Sequence, residues 1–217
     1  MEPFYIDIET IPSQSPELLA AFAKDVKAPA SFKKPESIAE WLSENREATA
    51  LEQIAKTSFD PAYGHICTIA WADGDGEIFS AHASTLAQER DVLAGLFDHL
   101  DYRPKQFIGH YISGFDLRFI LCRAVVLGVK IPRAIPRDPK PWSNSVFDTM
   151  MAWAGAKGTI SQDRLCGALG LTGKGDFDGS MVAAAWAAGE HDKIASYCRD
   201  DVATVREIHR KFVAADW

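Results

Sequence analysis

The 217-residue sequence has no excess of positive charge, with 23 Lys and Arg against 30 Asp and Glu and a formal net charge of −7. A chain that grips nucleic acid by charge alone carries a basic surplus. A polyanion would need local help here, of the kind divalent cations on clustered carboxylates supply. Cysteine is scarce too. Cys67, Cys122, Cys166 and Cys198 show no C-x-x-C spacing and sit in apolar or helical surroundings. That argues against a zinc ribbon or a disulfide framework and favours reduced core thiols in a cytoplasmic protein. No membrane span is expected, because apolar residues make up 47% and charged residues 24%, both ordinary for a globular chain. The first strand begins within a few residues of Met1, so no export signal is expected. No internal repeat is present.

What remains is enough for one sizeable α/β domain, and 1–217 reads as a single unit. Residues 3–10, PFYIDIET, alternate as a strand does, with Phe4, Ile6 and Ile8 on one face and Tyr5, Asp7 and Glu9 on the other. Pro12 ends it. Residues 13–60 show helical apolar spacing at Leu18, Leu19, Phe22, Ile38, Trp41 and Leu42, broken by Pro29 and Pro35, and read as a helical insertion. A hairpin follows, from Ile66–Trp71 through Asp73-Gly74-Asp75-Gly76 to a short run at 77–80. Then come a helix over 84–100, a strand at 106–109 and a helix over 114–127.

Residues 130–143 carry Pro132, Pro136, Pro139 and Pro141 among Lys130, Arg133, Arg137 and Lys140, which makes a basic, irregular loop. Beyond it the pattern predicts a strand at 146–150, a helix over 161–169, a Gly-rich loop at 173–179 and a last helix over 192–213. Three antiparallel strands followed by alternating helices and strands fit an α/β fold, a mixed sheet with helices on both faces.

Four acids stand out. Asp7 and Glu9 share a strand face, roughly 6.5 Å apart at strand rise, with no basic residue near them in sequence. They either form the solvated side of a strand or hold a cation, and hard oxygen donors suit Mg²⁺ or Mn²⁺. Asp116 follows Ser113, which could cap a helix with Asp116 in its first turn. Its strand-to-helix position, however, is where ligands commonly bind such sheets. In the last helix Ile194, Cys198, Val202, Val205, Ile208 and Phe212 form a core-facing stripe. Tyr197 and Asp201 lie one turn apart just beside it, either as a boundary hydrogen-bonded pair or as site residues. Arg199 and Asp200 point away, toward solvent.

Taken together, Tyr-Ile-Asp-Ile-Glu-Thr, Gly-His-Tyr-Ile-Ser-Gly-Phe-Asp and Tyr-Cys-Arg-Asp-Asp-Val resemble the three motifs of the DEDD exonuclease superfamily. Tyr197 lies four residues before Asp201, and Ser196 occupies the place of the other branch's histidine, so the resemblance is to the tyrosine (DEDDy) branch. Within it, the chain is similar to stand-alone exonucleases related to the proofreading domain of family B DNA polymerases, including Pro61-Ala-Tyr-Gly-His-Ile-Cys-Thr-Ile-Ala.

The resemblance implies a ribonuclease H-like fold and two ions, Mg²⁺ or Mn²⁺, clamping water's attack on the last phosphodiester of a 3′ end. Asp7 would bridge the ions, Glu9 and Asp201 would complete the site that activates water, Asp116 would hold the second ion, and Tyr197 would orient the water. DNA, single-stranded, is the expected substrate. RNase D-like trimming of RNA and a non-catalytic binding or partner-docking subunit are the alternatives, with 13–60 as the candidate docking surface. Thr10, His110 and Phe115 are the candidate substrate contacts, each with a capping, hydrogen-bonding or core role as its other reading. Trp142 is a candidate base-stacking residue in the basic loop. Lys174, beside Asp176 and Asp178, fits a phosphate cradle poorly. Such proteins often have Asn where this chain has Tyr111.

Overall fold

A computed structural model describes residues 1–100, 103–139, 143–173 and 175–217. Lys140, Pro141, Trp142 and Lys174 lie outside them, so the expectations for Trp142 and Lys174 concern positions beyond the described residues.

Strand β1 (Glu2–Ile11) is the middle of a five-stranded sheet. On one side it pairs antiparallel with β2 (His65–Asp73), which pairs antiparallel with β3 (Phe79–His82). On the other it pairs parallel with β4 (Lys105–Gly109), which pairs parallel with β5 (Val146–Asp148). The mixed sheet expected from the sequence is therefore the one found, although the β3 pairing begins two residues later than the hairpin pattern suggested. Between β2 and β3, Gly74 takes a φ of 49° and the Gly76 N–H donates to Asp73 O at 2.8 Å, closing the turn.

Alternation along β1 sorts the two faces. Phe4, Ile6 and Ile8 point toward α3 (Glu89–His99) and α4 (Asp116–Leu127), where Leu93, Leu96, Phe119 and Ile120 complete the larger core. Tyr5 points to the opposite face with Ala70, Ala72 and Ile108, which the long α8 (His191–Ala214) covers through Cys198, Val202 and Val205. The α8 stripe is buried along its length, from Ile194 to Phe212. Each Val, Ile or Phe on it contributes roughly 1.5–3 kcal/mol of apolar burial.

A register shift separates Glu9 and Thr10 of β1 from their partners, Thr68 and Ile66, leaving Cys67 as the extra residue on β2. The bulge lets Ile66 and Ile69, three positions apart, join one core. It also turns Cys67 and Ile11 toward Val182, Ala185 and Ile194.

Two helices join β1 to β2, α1 (Pro16–Asp25) and α2 (Pro35–Lys56). Pro35 starts α2 at its first position, where a missing N–H costs nothing, rather than interrupting a longer helix. They pack on each other around an open groove of about 440 Å³ lined by Leu19, Ala23, Leu42 and Ala50. A 3₁₀ turn at Thr57–Phe59 ties them to β1 through Thr10 Oγ1 to Ser58 O, 2.8 Å, and Ser13 N–H to Thr57 Oγ1, 2.8 Å.

After β5 come α5 (Thr149–Ala154), α6 (Gln162–Leu169) and α7 (Val182–Ala187). The expected strand at 146–150 stops at Asp148, whose carboxylate accepts the N–H groups of Met150 and Met151, each at 3.1 Å, and starts a helix instead. The short α7 escaped sequence reading because six residues carry too little periodicity. Among the described residues no helix is long and apolar enough to cross a membrane.

One buried ion pair locks the start of β2. Arg123 (3% exposed) donates from Nε and Nη2 to both oxygens of Glu89 (1% exposed) at 2.7 Å each, and Glu89 also accepts the Ile66 N–H at 2.9 Å. Burial alone would raise the Glu89 pKa, but hydrogen bonds from His65, Arg123 and Ile66 outweigh it and hold the carboxyl below its usual range. Glu89→Ala strands the Arg123 guanidinium in the core. The expected loss is roughly 3–5 kcal/mol of unfolding free energy in denaturant titration. A loss under about 1 kcal/mol would mean that the pair contributes little beyond a surface one.

Candidate active site

The acids singled out in the sequence come from three elements. Asp7 and Glu9 project from the α8-facing side of β1, Asp116 opens α4, and Asp201 sits in the middle of α8. Glu9, Asp116 and Asp201 are buried, at 9%, 4% and 4% exposure. Asp7 and Glu9 therefore do not form the solvated side of an edge strand, since β1 is central and α8 lies over them.

Asp116 reaches this point through a gap in the sheet. β4 pairs with β1 only from Glu2 to Tyr5, so the β1 edge beyond is unclaimed by a strand. The Ile8 N–H there donates to Asp116 Oδ1 at 3.2 Å. Ser113 is not the cap of α4. The residue before the helix is Phe115, with no side-chain capping bond, and the Ser113 N–H is drawn to Asp148 Oδ2 at 3.1 Å. Asp116 is the first helical residue rather than the third, so the helix dipole favours its charge as expected, from two positions earlier in the same turn.

Asp201 is held by Gln162, the first residue of α6, whose Nε2 donates to Asp201 Oδ1 at 3.3 Å and to Asp201 O at 3.4 Å. Tyr197 hydrogen-bonds to the Asp201 side chain one turn away, as the spacing suggested. Arg199 is not turned to solvent. It is half-buried and donates from Nη1 to Ser80 Oγ of β3 at 2.7 Å. Asp200 is exposed, as expected.

The electrostatics follow from crowding. Burial raises the Asp7 pKa well above the carboxylate range, and the charges of Asp201, Glu9 and Asp116 push the same way. Burial also raises the Asp116 pKa to about 7, against hydrogen bonds that lower it, with Asp148 and Asp201 adding repulsion. The Tyr197 phenol is driven far up by burial and by the charges of Asp201, Glu9 and Asp7, so it keeps its proton at neutral pH. Four carboxylates in this setting cannot all ionise unless a cation offsets them. Their oxygens suit a hard divalent ion.

Two residues in the site went unnoticed in the sequence. Cys198, assigned to the core stripe, also turns its thiol toward Asp7, with Sγ 3.3 Å from Oδ2 and 3.4 Å from the backbone oxygen. One donor atom each from Asp7, Glu9 and Cys198 fall within 4.8 Å of one another, while Asp116 and Asp201 face this triad from α4 and α8. The signal for Cys198 was its place on the α8 stripe, and the sequence does not show which strand face that stripe meets. Gln162 had none, because it reaches Asp201 across 39 residues.

The candidate substrate contacts are distributed around the cluster. The Thr10 hydroxyl gives its proton to Ser58 O and can only accept from a substrate. His110 has both ring nitrogens engaged, Nδ1 with Thr149 Oγ1 and Nε2 with Ile160 O, each at 2.9 Å, which anchors the loop to α5 and the segment before α6. Phe115 is half-buried, with Phe119 and the strongly exposed Phe59 at ring distances of 5.4 and 6.2 Å. Tyr111 adopts φ 63°, a left-handed conformation that costs a bulky residue about 1–2 kcal/mol. An open cleft of about 330 Å³ runs alongside Tyr197 and Asp201, with Phe177 and Lys193 on its other wall. The Phe177 ring meets Tyr197 edge-on at 5.1 Å, which restricts how the phenol can turn.

Residues 60–213 match a family model described as a predicted 3′-5′ exonuclease related to the exonuclease domain of PolB. The match contains Asp116, Tyr197 and Asp201 and begins after β1, so Asp7 and Glu9 lie outside it. A comparison with curated proteins found none that matches. Among solved structures the chain is similar to the family B DNA polymerase from the hyperthermophilic archaeon Pyrobaculum calidifontis. The TM-score is 0.61 at 16% identity, over 98% of this chain and 24% of the polymerase chain. At that identity the likeness shows the fold, a ribonuclease H-like mixed sheet, and this chain spans about a quarter of the polymerase's length. From the family match over 60–213, the chain belongs to the predicted 3′-5′ exonucleases related to the exonuclease domain of PolB.

Proposed function

We propose that the chain is a DEDDy-type, metal-dependent 3′-5′ exonuclease that removes nucleotides from the 3′ end of single-stranded DNA. The observation that carries the reading is the convergence of Asp7, Glu9, Asp116 and Asp201 from β1, α4 and α8 on one crowded point, with Tyr197 hydrogen-bonded to Asp201. None of the four cysteines is in a disulfide, and we place the chain in the cytoplasm.

The donor set fits Mg²⁺ or Mn²⁺. Asp7, Glu9 and Asp201 would hold one ion and Asp7 with Asp116 the other. Bound there, the ions would supply Lewis-acid stabilisation of the phosphodiester and lower the pKa of a coordinated water. The chain's own groups supply the rest. The Ile8 N–H orients Asp116, Gln162 orients Asp201, and the Cys198 thiol lies against one oxygen of Asp7. Tyr197 retains its proton and so serves by orienting water through its hydroxyl rather than by abstracting a proton.

Purified protein with Mg²⁺ is expected to release mononucleotides stepwise from 5′-labelled single-stranded DNA, and to do so faster than from RNA of the same sequence. Equal or faster digestion of RNA would reassign the substrate, and no release with either metal would leave a binding or docking subunit. Asp7→Asn should reduce release to background with the melting profile preserved. Tyr197→Phe should lose only roughly 10- to 100-fold, less than the 10²–10⁴-fold that a general base can contribute. Normal turnover of Asp7→Asn would sink the assignment.

Metal should also govern how stability depends on pH. Asp7 and Asp116 have raised pKa values in the folded state, so the folded chain keeps protons that the unfolded chain has already released. The Asp116 contribution is present below about pH 4 and is lost as pH climbs toward about 7, and that of Asp7 is lost in the same direction. Metal-free protein should therefore lose on the order of 1–4 kcal/mol from these acids between about pH 5 and 8. Millimolar Mg²⁺ or Mn²⁺ should restore it at pH 8 but not at pH 5. Thermal denaturation at both pH values, with and without EDTA, checks this. A metal effect equal at pH 5 and pH 8 would contradict it.

A further inference from the structure

We propose that Tyr111 is a stacking platform for a base of the bound strand, an inference that rests on the exonuclease reading above. Tyr111 lies five residues before Asp116, in the loop that carries the chain from β4 to α4. The residue is 47% exposed and its φ is 63°, a combination that nothing in the core requires. The conformation is nevertheless held from several sides. The Tyr111 N–H donates to Asp148 Oδ1 at 3.1 Å, and the Tyr111 carbonyl accepts from the N–H groups of Gly114 and Phe115 at 3.1 and 3.0 Å.

Gly114 completes the arrangement. A Cβ placed there would lie 2.3 Å from Tyr111 Cε2 and 2.4 Å from Cζ, so the ring rests directly against the Gly114 backbone. The phenol is thus fixed in direction while much of its surface stays open to solvent. Strain that surrounding hydrogen bonds hold in place belongs with function more often than with stability. Phe115, the other aromatic of this loop, is packed against the core and offers less free surface.

The chain's charge balance says what such a ring would do. With a formal net charge of −7, the chain as a whole carries no cationic surplus to hold a strand, so an uncharged contact adds what net charge does not supply. Every base has a π-face, and stacking on an aromatic side chain is tolerant of sequence and indifferent to net charge.

The test uses single-stranded oligodeoxynucleotides carrying 2-aminopurine near a 3′ end protected by phosphorothioate linkages, bound to the full-length chain with Ca²⁺ in place of Mg²⁺ so that cleavage does not intervene. Stacking on Tyr111 should quench the fluorophore. Tyr111→Asn should lose that quench, and Tyr111→Trp should restore it. In the otherwise wild-type chain, Tyr111→Asn should raise KM roughly 5- to 30-fold, because one base-to-ring stack is removed. Gly114→Ala, which displaces the ring without deleting it, should also lose the quench.

Asn tolerates the left-handed region, so Tyr111→Asn should hold its melting temperature or gain up to about 2–4 °C. An unchanged quench and KM in Tyr111→Asn would overturn the proposal, as would a fall in melting temperature of that size. Release of nucleotides by the wild type with Mg²⁺ is measured alongside. Its absence would count against the exonuclease reading alone, since the quench reads stacking without turnover.

Discussion

Carboxylates gathered at one buried point repel one another, and the rest of this structure is arranged around that repulsion. Asp7 and Glu9 cannot move apart, because they lie two residues apart on one strand face and β2 pairs with β1 through both. Asp201 cannot withdraw, because α8 buries apolar side chains from Ile194 to Phe212 and Gln162 holds its carboxylate. Asp116 is fixed by the Ile8 N–H and by its place at the start of α4. The packing of α3, α4 and α8 on the sheet keeps the acids together, and the raised pKa values of Asp7 and Asp116 reflect their repulsion, which protonation relieves. A divalent cation would relieve the same repulsion by charge rather than by protonation. On the proposed reading, proton and metal would compete for one cluster, and the fold would make them competitors.

Sheet geometry determines how the cluster is reached. Had β4 run alongside β1 past Tyr5, the Ile8 N–H would have been consumed by the ladder and Asp116 would have had no partner there. The short parallel pairing opens the gap, and β5 ends in step at Asp148. Asp148 then serves two structures at once. Its two oxygens collect the N–H groups of Tyr111 and Ser113 from the loop before α4, and those of Met150 and Met151 at the start of α5. The carboxyl end of the parallel strands is where loops can converge, which is why ligands favour it in sheets of this kind.

Much of this was legible in the sequence because it depends on periodicity. The alternation of PFYIDIET placed Asp7 and Glu9 on one face, and the spacing of the last helix placed Asp201 beside a buried stripe. What escaped depends on contacts between distant residues. Ser113 looked like a cap because its spacing to Asp116 is right, but Asp148, 35 residues away, claims its N–H. Arg199 looked solvent-facing from helix geometry, yet β3 brings Ser80 within its reach across 119 residues. Cys198 read as plain core because the sequence does not show which strand face meets α8. His110, expected among the substrate contacts, turned out to have both ring nitrogens engaged by α5 and the segment before α6.

Net charge connects the cluster to the surface around it. The chain's surplus of seven negative charges would repel a nucleic-acid strand at long range, and screening at physiological ionic strength limits that repulsion to about 8 Å. At shorter range the acids themselves are the main obstacle, and they are also the groups a cation would neutralise. Recognition would then divide into two physically separate parts. Charge would be handled at the cluster, where metal, if the proposed reading holds, would convert four acids into an attractive site for a phosphate. Contact along the strand would fall to neutral surfaces such as Tyr111 and the Phe59–Phe115 pair. Such a division makes strand binding depend on metal more steeply than on salt, the reverse of proteins that hold nucleic acid with lysine and arginine. An acidic chain is therefore no anomaly for this fold, provided the ions arrive with or before the strand.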